Sequence, residues 1–226
     1  MYTFEDLLEI TKRLRAKDGC PWDRVQTHES LRGCMIEEAY EVVEAIDCKD
    51  DENLKEELGD VLLQVTMHSE IASEEQRFSI EDVIHEISEK LIRRHPHVFG
   101  TTEVNSVDGV LKNWEEIKQT EKKEATPWDG LKRIPLSLPA CLRAQKIQKK
   151  SEKAGYSFGE LQEIKGKLSE MLSEEKMTEE QMGEFLFLTV LMAKKNGFDG
   201  ENLLAEYNKD IIRKILEENG QYDGNY

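Results

Sequence analysis

Apolar residues recur along this chain at spacings of three and four, the repeat of one face of an α-helix, and no run alternates convincingly in the manner of a strand. Leu7, Leu8, Ile10 and Leu14 form one such face behind Thr3 and Asp6, which have the spacing of a capping box. Gly19-Cys20-Pro21-Trp22-Asp23 breaks that helix. Leu31 to Ile46 and Leu54 to Ala72 read as a helical hairpin with Asp50-Asp51 at its turn, and Leu54, Leu58, Val61, Leu62, Val65 and Ala72 predict the apolar stripe of its second helix. Ser79 and Asp82 repeat the capping-box spacing ahead of Ile80, Val83, Ile84, Ile87 and Leu91, a helix that ends before Pro96. Val107 to Lys123 is a further helix, carrying Trp114 and Ile117. The predicted fold class is all-α.

Thr126 to Pro139 holds three of the five prolines and predicts a linker over 125–139, between a unit at 1–124 and a second at 140–226. The second unit echoes the first. Leu142 to Phe158 resembles Leu7 to Trp22, and Gln181-Met182-Gly183-Glu184 resembles Glu57-Leu58-Gly59-Asp60. The copies differ in polar chemistry: Gln181 stands where the first has Glu57. The earlier acidic pair becomes Met171 with Glu174, or Glu174 with Met177, according to where the gap is placed. Methionine is a poor partner for a hard cation, so the second unit is expected to have lost any metal site and to serve a structural role.

The candidate chemistry lies on the hairpin. Glu38 and Glu41 sit three apart on its first helix, and Glu57 and Asp60 three apart on its second. Acidic residues number 47 of 226, so this spacing alone should arise by chance roughly ten times. The context carries more weight, because Glu57 and Asp60 border an apolar stripe, where a carboxylate needs a partner. Antiparallel packing would bring four carboxylates together. Two charges ~5 Å apart repel by about 3 kcal/mol at an effective dielectric of ~20. A divalent cation bound through oxygen relieves this, and Mg²⁺ is the usual ion of phosphate chemistry.

Composition narrows the partners. A formal net charge of −16 argues against nucleic-acid polymers and anionic membranes, though not against a small phosphorylated ligand arriving with Mg²⁺. No apolar run approaches the ~20 residues of a membrane span. The start, Met1 to Asp6, has no basic segment followed by an apolar one, so a signal peptide is not expected. Cys20, Cys34, Cys48 and Cys141 have no Cys-x-x-Cys spacing and read as reduced thiols, which predicts a cytoplasmic protein.

The motifs Gly19-Cys20-Pro21-Trp22-Asp23, Glu37-Glu38-Ala39-Tyr40-Glu41-Val42, Glu56-Glu57-Leu58-Gly59-Asp60 and Arg93-Arg94-His95-Pro96-His97-Val98-Phe99 together resemble the MazG nucleoside triphosphate pyrophosphohydrolases. So does Leu138-Pro139-Ala140 followed by Arg143-Ala144-Gln145-Lys146-Ile147-Gln148-Lys149. The resemblance runs in order over nearly the whole chain. It implies tandem MazG-type units packing into a dimeric helical bundle, and Mg²⁺-dependent hydrolysis (Mn²⁺ being an alternative ion) of nucleoside triphosphates to monophosphate and pyrophosphate, a nucleotide-pool house-cleaning activity. The family's metal motifs fall on Glu38, Glu41, Glu57 and Asp60. Members with two units can carry the main activity in the C-terminal one. Here Gln181 and a methionine stand at its ligand positions, so the N-terminal unit is expected to carry it.

Roles follow from the chemistry. Either Glu38 or Glu41 can double as the base that takes a proton from water. Lys90 and Arg94, one turn apart with Arg93 beside them, suit phosphate, or equally a cationic last turn that complements the helix dipole. Trp114 and Lys118 share a face. By resemblance, Lys90, Arg94, Trp114 and Lys118 belong to the nucleotide pocket. Trp114 stacks on a base or is a core aromatic; Trp22 shapes the base pocket or plugs a helix junction. His95-Pro96-His97 suits capping or a place beside the phosphates better than Mg²⁺. A di-iron bundle would want Glu-x-x-His, which none of the five histidines supplies. The competing reading is a non-catalytic helical module that binds nucleotides or a partner protein.

Overall fold

The computed structural model describes residues 1–104, 106–121, 126 and 128–221; the expected helix and linker positions Lys122, Lys123, Ala125 and Pro127, and the chain's last five residues, lie outside them. Among the described residues the fold is all-α, with no strand. The chain divides into two compact units, Met1–Ile117 and Lys118–Tyr226.

In the first unit, α1 (Phe4–Arg15) starts at the expected capping box: Thr3 N–H donates to Asp6 Oδ2 at 2.7 Å and Asp6 N–H donates to Thr3 Oγ1 at 3.2 Å. The helix stops because the chain folds back on its own end at Gly19, where an added Cβ would lie 2.3 Å from the Leu14 carbonyl oxygen. A 3-10 turn, Asp23–Val25, leads on towards the hairpin of α2 (Arg32–Cys48) and α3 (Asp51–Glu74). The hairpin is closed by Lys49 and Asp50. Lys49 adopts the left-handed conformation (φ 57°), its N–H reaching Ile46 O at 3.1 Å, and the N–H of Asp50 reaches Ala45 O at 3.0 Å. Asp50 then caps α3 by accepting from Asn53 N–H. The second expected capping box also forms, Ser79 with Asp82, and starts α4 (Ile80–Arg94). Two further helices, α5 (Pro96–Phe99) and α6 (Val107–Glu121), follow, and the boundary between the two units falls within α6.

The apolar core of this unit is Leu31, Met67 and Ile71, with Cys34 and Leu63 against them. The stripe expected on α3 is only partly the buried face. Leu58 is 52% exposed, and the buried positions are Gln64, Thr66, Met67, Ser69, Ile71 and Ala72. The reason is that α3 packs against both α1 and α2, and small polar residues can be buried when their hydroxyls bond to their own helix. Thr66 Oγ1 donates to Leu63 O at 3.0 Å, Ser69 Oγ to Val65 O at 2.8 Å, and Thr11 Oγ1 meets Thr66 Oγ1 at 3.1 Å to join α1 to α3. Arg15, its side chain 5% exposed, adds a two-pronged bond to Glu74 and donates to the carbonyls of Asp23 and Gln26. By contrast Ile36, Tyr40, Val43 and Ile46 on α2 stay about half exposed.

In the second unit, α7 (Asp129–Lys132) occupies part of the stretch expected as linker and packs on α8 (Ala140–Lys153), with Gly130 and Ile134 buried. The remaining helices are α9 (Leu161–Ser173), α10 (Glu179–Lys195) and α11 (Gly200–Glu218). Ile164, Leu168, Leu188 and Leu191 form its core, with Phe158, Met171, Phe185 and Met192 packed around them. The wholly buried Gln148 ties α8 to α10 by donating from Nε2 to Phe187 O at 3.0 Å.

The left-handed Lys49 costs a non-glycine residue about 1–2 kcal/mol, of which glycine's larger unfolded-state entropy returns part. Lys49→Gly is therefore expected to raise stability by about 0.5–1 kcal/mol, read from denaturant unfolding.

Candidate metal and nucleotide site

The two-residue turn sets the register of α2 against α3, and that register places Glu38 and Glu41 opposite Glu57. One carboxylate oxygen from each of these three lies within 4.8 Å of the others. An octahedral ion with bonds of about 2.1 Å separates its ligands by about 3.0 Å when adjacent and about 4.2 Å when opposed, so small side-chain rotations bring these oxygens into its shell. All are hard, anionic donors, and the set fits Mg²⁺.

Asp60, the fourth expected carboxylate, lies outside this group of three. It stays close enough for its charge to act on Glu38 and Glu57. The carboxyls of Glu38 and Glu57 are both held above the ordinary range. For Glu38 the main cause is loss of solvation, followed by its hydrogen bond with Glu41 and the charges of Asp60, Glu41 and Glu57. For Glu57 it is again loss of solvation, followed by the charges of Glu41, Asp60 and Glu56. Half-buried carboxylates that repel one another are a site in want of positive charge.

The expected basic and aromatic residues fall elsewhere in the fold. Lys90 and Arg94 lie one turn apart on α4, and Arg93 is on its exposed side. The Arg94 guanidinium sits over the Trp114 ring, 5.1 Å from its centroid, so α4 and α6 meet through a cation–π contact. Lys118 follows Trp114 by one turn of α6, at the start of the second unit. Trp22 is 59% exposed and does not plug the helix junction. His95 terminates α4, its ring Nδ1 lying 2.6 Å from Leu91 O, in agreement with a capping role.

In the second unit, Gln181 Nε2 donates to Glu174 Oε2 at 2.8 Å while Gln181 also closes the capping box of α10 with Thr178. Met171 packs against the core, and Glu184 is exposed. A cluster with no signal in the sequence joins His28, His68 and Arg77; the two histidines are 40 residues apart, and no local spacing links them.

The raised carboxyls set a pH dependence. Their protonated forms are favoured in the folded state, so the fold binds more protons than the unfolded chain from 4.5 upwards to the raised values, and stability is lost as pH rises through that window. In the absence of divalent ions, Glu57→Gln is expected to melt at a higher temperature than the natural protein near neutral pH. The gain should vanish below pH 4.5, which thermal melting across the range will measure.

Residues 26–99 match the MazG nucleotide pyrophosphohydrolase domain. The nucleoside triphosphate pyrophosphohydrolase/pyrophosphatase MazG of Thermotoga maritima is 41% identical over 98% of this chain and 88% of its own. The nucleoside triphosphate pyrophosphohydrolase of Escherichia coli is 38% identical over 96% and 87%. A solved structure, a mazG-related protein from Thermotoga maritima, is 33% identical over 51% of this chain and 98% of its own, with a TM-score of 0.45. With identity at this level sustained from end to end, and the domain match spanning the helical hairpin that carries the carboxylates, the chain belongs to the MazG family.

Proposed function

We propose that this protein hydrolyses nucleoside triphosphates to nucleoside monophosphate and pyrophosphate, that the first unit carries the activity, and that Mg²⁺, or Mn²⁺ in its place, is required. The observation that carries the reading is the convergence of Glu38, Glu41 and Glu57 from two helices. The names of the two long relatives agree with it.

When bound, Mg²⁺ would neutralise phosphate charge and lower the pKa of a coordinated water. Glu38, Glu41 and Glu57 would hold the ion, with Asp60 adding its charge. The protein's own groups do the rest. Glu38 or Glu41 takes a proton as water forms a bond to a phosphorus of the α–β bridge, and the bridging oxygen leaves with the other phosphate. Lys90, Arg93 and Arg94 on α4 would supply cationic charge for the phosphates. Arg94 holds the Trp114 ring, which would offer a face to the base, and the exposed Trp22 is a second candidate for stacking. In the second unit the Gln181 amide takes the place of a carboxylate and satisfies Glu174 by a hydrogen bond, which supports a structural role for that unit.

The reading extends to assembly and setting. Ile36, Tyr40 and Val43 on α2 and Leu58 and Leu62 on α3 recur at three- and four-residue spacing and remain exposed, a face that suits a second copy of the chain in a homodimer. Nucleotide-pool maintenance in the cytoplasm is the setting this reading proposes; no helix among the described residues is long and apolar enough to cross a membrane.

Incubation with each nucleoside triphosphate, with and without Mg²⁺, should yield monophosphate and pyrophosphate only with the ion. Glu57→Gln should abolish turnover and Glu184→Gln should leave it nearly unchanged; equal losses would overturn the assignment to the first unit. Diphosphate with orthophosphate would contradict the reaction, and tight binding without turnover would favour a non-catalytic module. In sedimentation, Val43→Asp should convert a dimer to a monomer.

A further inference from the structure

Three side chains outside the acidic group form an ordered chain of contacts. His28 lies in the connection between the 3-10 turn and α2; His68 is on α3; Arg77 follows the end of α3. The two imidazoles are parallel to within 5°, their centroids are 5.0 Å apart, and His28 Nδ1 lies 2.8 Å from His68 Nδ1. The Arg77 guanidinium meets His28 Nε2. Backbone geometry holds Arg77 there. Gln76 takes the left-handed conformation (φ 56°), its N–H reaches Ser73 O at 2.9 Å, and the N–H of Arg77 reaches Ala72 O at 3.0 Å.

The protons of this chain can be deduced from its chemistry. Arginine only donates, so His28 Nε2 must carry a lone pair. A neutral His28 therefore bears its hydrogen on Nδ1 and donates it to His68 Nδ1. His68 must then accept at Nδ1 and keep its own hydrogen on Nε2. An additional proton has two places to go. On His28 Nε2 it would oppose the arginine, and on His68 Nδ1 it would oppose the hydrogen of His28. Either way one contact is lost.

We propose that Arg77, His28 and His68 form an acid-sensitive clasp that pins the segment leading into α2 onto α3 near neutral pH and releases it when the pair takes up a proton. The placement makes this consequential, because Leu31, three residues beyond His28, is a core side chain, and α2 carries Glu38 and Glu41. The charged neighbours are accounted for. Glu29 on the same connection feels both His28 and Arg77, and Glu75 pairs with Arg77 Nε at 2.6 Å. On the α1 side, Arg15 is engaged by Glu74. Burial, and then the charge of His28, push the His68 imidazole below its ordinary 6.5, in the direction the clasp requires. A neutral form favoured in the fold means that stability is present above the unfolded value and is lost as pH falls through 6.5.

Two measurements test this. Nitrogen-15 NMR of the imidazoles in the natural protein at about pH 7.5 should find His28 protonated on Nδ1 and His68 on Nε2. Finding His28 protonated on Nε2 would overturn the proposal. His68→Gln keeps an acceptor for His28 Nδ1 and cannot titrate. Its melting temperature should match that of the natural protein at about pH 7.5 and fall less than half as far by about pH 5.5, where comparison of the two proteins cancels the carboxylate contribution. An equal fall in both would overturn the proposal, and if the variant does not fold, the NMR tautomers decide alone.

Discussion

Mutual repulsion among carboxylates is the constraint around which the first unit is organised. Glu38, Glu41 and Glu57 would drift apart if their helices were free to do so. The closure at Lys49 and Asp50 and the apolar packing of Leu31, Met67 and Ile71 prevent it. Charge is thereby held in an unfavourable arrangement by burial elsewhere; the carboxyls of Glu38 and Glu57 are raised first by loss of solvation and then by the neighbouring acids. A divalent ion would convert that repulsion into binding energy, and this is the physical basis of the proposed activity.

Rigidity behind the site comes largely from polar ties. Thr11 with Thr66 and Arg15 with Glu74 fasten α1 to α3, while hydroxyls bonded to their own helices allow Thr66 and Ser69 to be buried at small cost. The His28–His68–Arg77 chain does the same for the approach to α2, with the difference that its bonds depend on protonation. The second unit solves related packing problems with other groups. Gln148 binds a backbone carbonyl of α10, and Glu152 pairs with Lys194. Where the first unit gathers acids against one another, Gln181 donates to Glu174 and leaves no comparable repulsion between them.

Much of the helical layout was legible because its signals are local. Capping boxes at Thr3 and Ser79, the break before Pro96 and the turn near Asp50 rest on hydrogen bonds that span three to five residues, and each is found where the pattern put it. The buried face of α3 was less legible. An apolar stripe assumes one packing partner, whereas α3 packs against α1, α2 and α4, so Leu58 faces outward and Gln64, Thr66 and Ser69 are enclosed.

The amino-acid order, with its helical periodicity and its motifs, was sufficient to establish an all-α chain of the MazG family and to single out the acids of the hairpin. It left open which of those acids converge, since that depends on the register of two helices and on side-chain reach. Folding selected Glu38, Glu41 and Glu57 and set Asp60 alongside; it also put Arg94 over Trp114 and joined His28 to His68 across 40 residues. Contacts of that kind belong to packing between elements, and their energies have no counterpart in the spacing of residues along one helix.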